Sequence, residues 1–249
     1  MAGRLEGKVV VVTGASSGIG QATALALAAE NAKVVVAARR ADRLEELVKH
    51  ISESGKEAIS ITADVSEEKQ AQDIIHKTKD KYGRVDILIN NAGLMLLGLI
   101  DGANTEDWRR MVNTNLLGLM YMTHAVLPVM KAQGEGHIVN ISSVAGRTAR
   151  VGSGVYNATK WAVGAFSESL RQEVYKDKIR VTIIEPGAVA TELSNHITDA
   201  AAKEQIQSWV KSMTPLQSED IAAAIVYAVT QPQHVNVNEI LIRPTEQER

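Results

Sequence analysis

The chain has 249 residues, enough for one large domain or two small ones, and folding can bury roughly 70–75 % of the surface that its unfolded form exposes. Its formal charge of −2 exerts no general pull on nucleic-acid phosphates or anionic lipid, and its arginine pairs form no basic stripe, so neither a nucleic-acid nor a membrane partner is expected. With no cysteine and six scattered histidines, disulfides, thiol nucleophiles and thiolate metal sites are excluded and no metal is expected.

The first apolar run, Val9 to Val12, is too short for a signal-peptide core, so cytoplasmic location is the default expectation. A strand is expected over 8–13 and a helix over 19–30. Between them lies Thr13-Gly14-Ala15-Ser16-Ser17-Gly18-Ile19-Gly20. Glycines at a strand-to-helix junction permit positive φ, let the backbone approach a pyrophosphate, and leave helix N-terminal N–H groups facing the phosphates. No Gly-Lys-Ser/Thr follows, which removes the P-loop alternative. The turn points to a dinucleotide, although three glycines alone also suit a plain tight turn.

The second strand, over 33–38, runs into Ala38-Arg39-Arg40. In a βαβ dinucleotide site this strand end faces the adenosine ribose, where an acid accepts from the 2′-hydroxyl of NAD and an arginine pairs with the 2′-phosphate of NADP. The first acid, Asp42, is expected in a capping box with Glu45 at the start of a helix over 42–52. Arg39 as first choice and Arg40 as second predict an NADP preference, the alternative being two solvated surface charges.

Strands over 58–62 and 86–89 flank a helix over 67–82, with its cap expected at Ser66. The stretch 111–130 contains Asn113, Thr114, Asn115, His124 and Pro128, so it fails as a membrane span and reads as a buried helix. A strand over 137–141 is followed by a helix over 154–176 and a strand over 180–184. Strands that are apolar throughout are buried on both faces, as a parallel sheet with crossover helices requires. The order of elements predicts a doubly wound α/β fold in one domain over 1–249. From 190 to 214 the pattern weakens into a polar helix-like patch over 198–209, before a last helix over 219–230. An insertion beyond a strand's carboxyl end is expected to act as a substrate lid, the alternative being a passive surface excursion.

Tyr156 and Lys160 stand four apart at the start of the 154–176 helix, so their side chains share a face. A phenol has a reference pKa of about 10, and a neighbouring ammonium is expected to lower it, suiting the group to proton transfer near neutrality. One such pair arises easily by chance. Ser143, thirteen residues earlier and just past a strand end, can hydrogen-bond a substrate carbonyl beside the tyrosine, although a Ser-Ser pair there also suits a turn.

Thr13-Gly14-x-x-x-Gly18-x-Gly20, Asn90-Asn91-Ala92-Gly93, Asn115, Ser143, Tyr156-x-x-x-Lys160 and Pro186-Gly187 follow one another in an order and spacing that, over essentially the whole chain, resembles the single-domain short-chain dehydrogenase/reductase family. The resemblance implies a Rossmann-type, seven-stranded, mostly parallel sheet with helices on both faces, NADP(H) as cofactor, and interconversion of a carbonyl compound and its alcohol. It implies that Tyr156 protonates the carbonyl oxygen, that Lys160 tunes it and holds the nicotinamide ribose, that Ser143 positions the carbonyl, and that Asn115 anchors a relay water. A helix-kink role remains open for Asn115. It further implies that Gly14, Ser16, Ser17, Gly18, Ile19 and Gly20 cradle the pyrophosphate, that Asp64 and Val65 border the adenine, and that Asn91, Ala92 and Gly93 line the cleft. Pro186, Gly187, Val189 and Thr191 are implied at the nicotinamide end. Asp64 and Thr191 can also be read as a turn residue and a loop cap.

The run Gly93 to Leu97, with Met95 in it, together with Leu193 and Trp209 predicts an apolar pocket for a small or medium carbonyl compound. Arg147 and Arg150 can receive a carboxylate, which admits a 3-hydroxy acid, or they are solvated. The segment 111–121 and the end 239–245 resemble broad-specificity NADP-dependent carbonyl reductases and bacterial hydroxy-acid or aldehyde reductases. The chain lacks the glycine-rich turn that many family members carry after the last strand, which argues against a fatty-acid 3-oxoacyl reductase role. A homotetramer formed through helices over 113–131 and 154–176 is implied, with Ala158, Ala162 and Ala165 permitting close contact or packing on the sheet. The alternative of another class is an NADPH-binding regulator without turnover, which needs the glycines and Arg39 but not Tyr156.

Overall fold

The computed structural model describes residues 3–248; Met1, Ala2 and Arg249, the extreme ends of the expected domain, lie outside the described residues. Seven strands, β1 (Val9–Thr13), β2 (Lys33–Ala38), β3 (Ala58–Thr62), β4 (Ile87–Asn90), β5 (Gly136–Ile141), β6 (Ile179–Pro186) and β7 (Glu239–Ile242), form one sheet in the order 3-2-1-4-5-6-7. Every pairing between them is parallel, including the last, so the expected seven-stranded Rossmann-type sheet is present and is parallel throughout.

Such a sheet needs cover on both faces, and the strand residues show it: Val10, Val11 and Val12 are all fully buried although they point alternately to opposite sides. Val10, Val12, Val34 and Val36 meet helices α1 (Gly18–Ala29), α2 (Ala41–Glu53) and α8 (Ser218–Val229). Val11, Val35, Leu88 and Ile138 meet α3 (Glu68–Tyr82), α5 (Gly118–Gln133) and α6 (Gly154–Val174). Each large apolar side chain fully buried in this way contributes about 1.5–3 kcal/mol.

Two expected caps are not formed. Helix α2 begins one residue early, at Ala41, with Arg40 as its N-cap; Asp42 therefore sits inside the first turn, where it makes no capping box with Glu45. Helix α3 is preceded by Glu67, whereas Ser66 turns back to donate its N–H and hydroxyl to Asp64. The 111–130 helix is interrupted: α4 (Thr105–Val112) passes into one π-helical turn, Asn113–Leu117, before α5 continues. On α6 the residues turned inward are Val163, Ser167, Leu170 and Val174, while Ala158 and Ala165 are exposed, so those alanines do not pack on the sheet.

The strand order changes direction at β1 and β4, and the carboxyl ends of these two strands open the crevice in which doubly wound sheets bind ligands.

Candidate active site

At that crevice a cleft of about 620 Å³ runs from the glycine-rich turn, past the ends of β4 and β5, to the segment after β6. The turn after β1 is held from behind. Thr13 Oγ1 accepts the N–H groups of Asn91 (3.0 Å) and Ala92 (3.2 Å), and Asn91 Nδ2 donates to the carbonyls of Thr13 (2.9 Å) and Gly14 (3.2 Å). Asn91 thus lies on the cleft wall with its side chain spent on shaping the turn. Gly14 has φ +64°, and a Cβ there would stand 2.7 Å from Ala92 Cα; at Gly20 it would stand 2.5 Å from Asn91 Nδ2. Gly18 has φ +56°, and a Cβ there would stand 3.2 Å from Thr191 Cγ2. Ser16, Ser17, Gly18 and Ile19 line the cleft, whereas Gly20 lies behind them.

At the end of β2 the two arginines behave differently. Arg39 is largely exposed, its Nη1 3.6 Å from Asp64 Oδ2, while Asp64 Oδ1 accepts from Ser66. Arg40 is folded onto the turn: Nε donates to Ser16 Oγ (3.1 Å), Nη2 to Ser17 Oγ (2.7 Å) and Nη1 to Glu192 Oε2 (3.0 Å). Arg40, the second choice from the sequence, is thus fixed over the turn, whereas Arg39, the first choice, extends toward Asp64. Val65, Ala92 and Gly93 complete this part of the wall.

At the other end, Tyr156 is buried and hydrogen-bonds Ser143, whose Oγ also accepts the N–H of Ala145 (3.1 Å). Lys160 is buried one helical turn on, its ammonium 5.8 Å from the Tyr156 ring centroid and donating to the Ile141 carbonyl at 2.9 Å. Burial pushes the Tyr156 phenol up to about 12, against a smaller lowering by Ser143, and pushes the Lys160 ammonium down to about 8. The expected lowering of the phenol by its ammonium neighbour is therefore corrected: in this dry site desolvation is the larger effect, and it acts against both charged forms. The Tyr156 phenol is therefore neutral at pH 7. Asn115 stands one layer behind the cleft, on the π-turn. Its Oδ1 accepts the Leu94 N–H (2.7 Å), and its Nδ2 donates to the Leu94 carbonyl (2.8 Å) and to Thr159 Oγ1 (3.2 Å). The extra residue of a π-turn turns Asn115 inward, where it ties the loop after β4 to α6.

Pro186, Gly187, Val189 and Thr191 follow β6 along the cleft, and Thr191 also caps a 3-10 turn, Glu192–His196, by accepting from Leu193. Helix α7 (Ala200–Lys211) covers this end. Met95, Leu193 and Trp209 line the apolar part, and Arg150 lies over the Trp209 ring, 5.3 Å from its centroid. Arg147 does not reach the cleft. Its guanidinium pairs with the buried Glu185 (2.7 and 2.8 Å) and with Glu239, which removes it as a carboxylate receiver. Among the cleft residues that the sequence did not single out are Gln247 and Glu192. Gln247, near the carboxyl end, is buried with Oε1 accepting the Ala188 N–H at 2.8 Å, and Glu192 grips Arg40. Neither stands in a motif; both are fixed by partners distant in sequence.

Residues 8–202 match the family model described as short chain dehydrogenase. An uncharacterized oxidoreductase of Staphylococcus saprophyticus is 43% identical over 96% of this chain and 97% of its own. Among solved structures, a serine dehydrogenase complexed with NADP+ superposes with a TM-score of 0.89 at 36% identity, covering 97% of this chain and 96% of that one. A short chain dehydrogenase/reductase from Burkholderia phymatum in complex with NAD gives 0.88 at 28% identity, over 96% of this chain and 89% of that one. The family match extends over most of the sequence and carries both the glycine turn and the tyrosine–lysine helix, so the chain belongs to the short-chain dehydrogenase family.

Proposed function

We propose that this protein is an NADP(H)-dependent oxidoreductase that interconverts a carbonyl compound and its alcohol. The observation that carries the reading is the cleft itself: a buried Tyr156 bonded to Ser143, with Lys160 beside it, opens into the same space as a glycine turn overlaid by Arg40. The turn fits a pyrophosphate because its glycines leave unfilled the space that side chains would occupy, and Arg40 fits a 2′-phosphate because it stands at the end of β2. The bound nicotinamide supplies or removes the hydride. Tyr156 gives its hydroxyl proton to the carbonyl oxygen in reduction and takes one back in oxidation. Ser143 donates to the same oxygen and fixes its position. The Lys160 ammonium stabilises the phenolate as it forms. Asn115 positions the Leu94 backbone and, through Thr159, the helix that carries Tyr156 and Lys160.

The chain works as one domain with 190–214 as a lid over a small substrate; no nucleic acid or membrane takes part. Arg150, which lines the cleft over the Trp209 ring, is our candidate for contact with a substrate carboxylate, a reading that favours oxo and hydroxy acids and is in keeping with the serine named for one structural neighbour. Arg150→Gln is expected to raise KM for oxo acids about ten-fold while leaving simple ketones within two-fold. Equal effects on both would remove the carboxylate from the reading. The exposed alanines of α6 support a homotetramer in a cytoplasmic enzyme; light scattering giving a monomer at micromolar concentration, or fractionation with membranes, would contradict this. The overall test is NADPH consumption against ketones, aldehydes and oxo acids. Tight NADPH binding with no turnover of any of them would favour a regulator instead.

A further inference from the structure

Glu192 opens the segment after β6, yet its side chain reaches back over the mouth of the cleft to a residue 152 positions earlier, where its carboxylate lies 3.0 Å from Arg40 Nη1. The same carboxylate hydrogen-bonds Ser17 and feels the charge of Arg43, and together these neighbours hold it below the usual carboxylate range, Arg40 most strongly. Arg40 thus bridges the serines of the turn and one anionic group from the opposite wall. Sequence alone offered no acid at this corner after Asp42 was assigned to a cap; the fold delivers one from the opposite wall. Arg39 has an acidic neighbour too, but Asp64 stands 3.6 Å away and spends its other oxygen on Ser66, so it is anchored independently of the arginine.

Resting on the NADP(H) reading above, we propose that Glu192 is a cofactor-specificity residue: its carboxylate holds the Arg40 guanidinium where the 2′-phosphate must bind, and so counts against NADP(H) relative to NAD(H). The pair is half-exposed and therefore weak, and a phosphate monoester of nearly two charges displaces it. A displaced carboxylate would stay on the cleft wall, where its charge opposes that of the phosphate. With NAD(H) no displacement is needed, because an acid at this corner can accept from the ribose 2′-hydroxyl. The chain therefore carries an arginine that favours one cofactor and an acid that offsets it.

The test uses the full chain and titrates NADP+ and NAD+ into wild type, Glu192→Gln, Arg40→Gln and the double variant by calorimetry. Glu192→Gln should tighten NADP+ about five-fold and leave NAD+ within two-fold or weaker, as expected for loss of one exposed like charge. In the Arg40→Gln background the same change should move the NADP+/NAD+ ratio by less than two-fold, because the guanidinium it competes for is gone. Glu192→Asp, which keeps the charge, should not reproduce the gain in NADP+ affinity. If NADP+ and NAD+ shift by one common factor, or if the ratio shifts equally in the Arg40→Gln background, Glu192 acts on the shared pyrophosphate or the fold and the inference is overturned. A wild type that binds neither nucleotide would instead overturn the functional reading on which it rests.

Discussion

The two ends of the cleft are built on opposite physical terms. At the β2 end, Arg39, Arg40, Asp64 and Glu192 are partly exposed ionic groups whose interactions are screened by water and exchanged at little cost. At the β5 end, Tyr156, Lys160 and Asn115 are buried, and desolvation moves the titrations of Tyr156 and Lys160. On the proposed function, the difference makes recognition of the cofactor's charge tunable by single surface residues and ties proton transfer to buried ones. Substitutions at the buried end should therefore cost rate, and those at the rim should redistribute affinity.

The largest effect is expected from Tyr156→Phe, which removes the proposed proton donor beside Ser143 and should lower kcat by about 10²–10⁴ in steady-state assays. Lys160→Met comes next and sharpens the contrast, because it should improve stability while harming rate. Burial brings the Lys160 ammonium from its usual 10.5 to about 8, so between those pH values the unfolded chain holds a proton that the folded chain has released. Folding stability then rises with pH through that window, and the charged lysine costs stability at pH 7. The variant should gain of order 1–3 kcal/mol in urea unfolding at pH 7 and lose that pH-dependent rise. In the wild type, carbonyl reduction should fall as pH climbs through about 8, where Lys160 loses its charge; a rate that stays flat to pH 10 would detach the lysine from proton transfer. The smallest effect lies at the rim. Arg40→Gln should raise KM for NADPH about ten-fold and Arg39→Gln about three-fold, with NADH changed little by either. The reverse ranking would restore Arg39 as the principal partner of the phosphate.

What was legible in the sequence follows the same divide between local and distant. The glycine turn and the tyrosine–lysine pair are spacings of seven residues or fewer, and the chain geometry of a strand–turn–helix or a helix face converts such spacings directly into position. Ser143 was found because it follows a strand end, and Arg40 because it follows another. Apart from the two local caps, the contacts that were missed involve partners far along the chain. Arg147 was offered to the substrate because Glu185 and Glu239, 38 and 92 positions away, could not be seen to claim it. Gln247 and Glu192 reach the cleft across 59 and 152 positions. The upward shift of Tyr156 was missed for another reason: a charge four residues away is visible in the sequence, and the depth of burial is not.

The central claim is that this cleft binds NADPH and uses Tyr156 as its proton donor, and the most direct measurement pairs NADPH binding with NADPH consumption for wild type and Tyr156→Phe under one set of conditions. The account predicts that both proteins bind NADPH within about three-fold of each other while only the wild type consumes it with an oxo acid or ketone. Equal consumption by the two would contradict it.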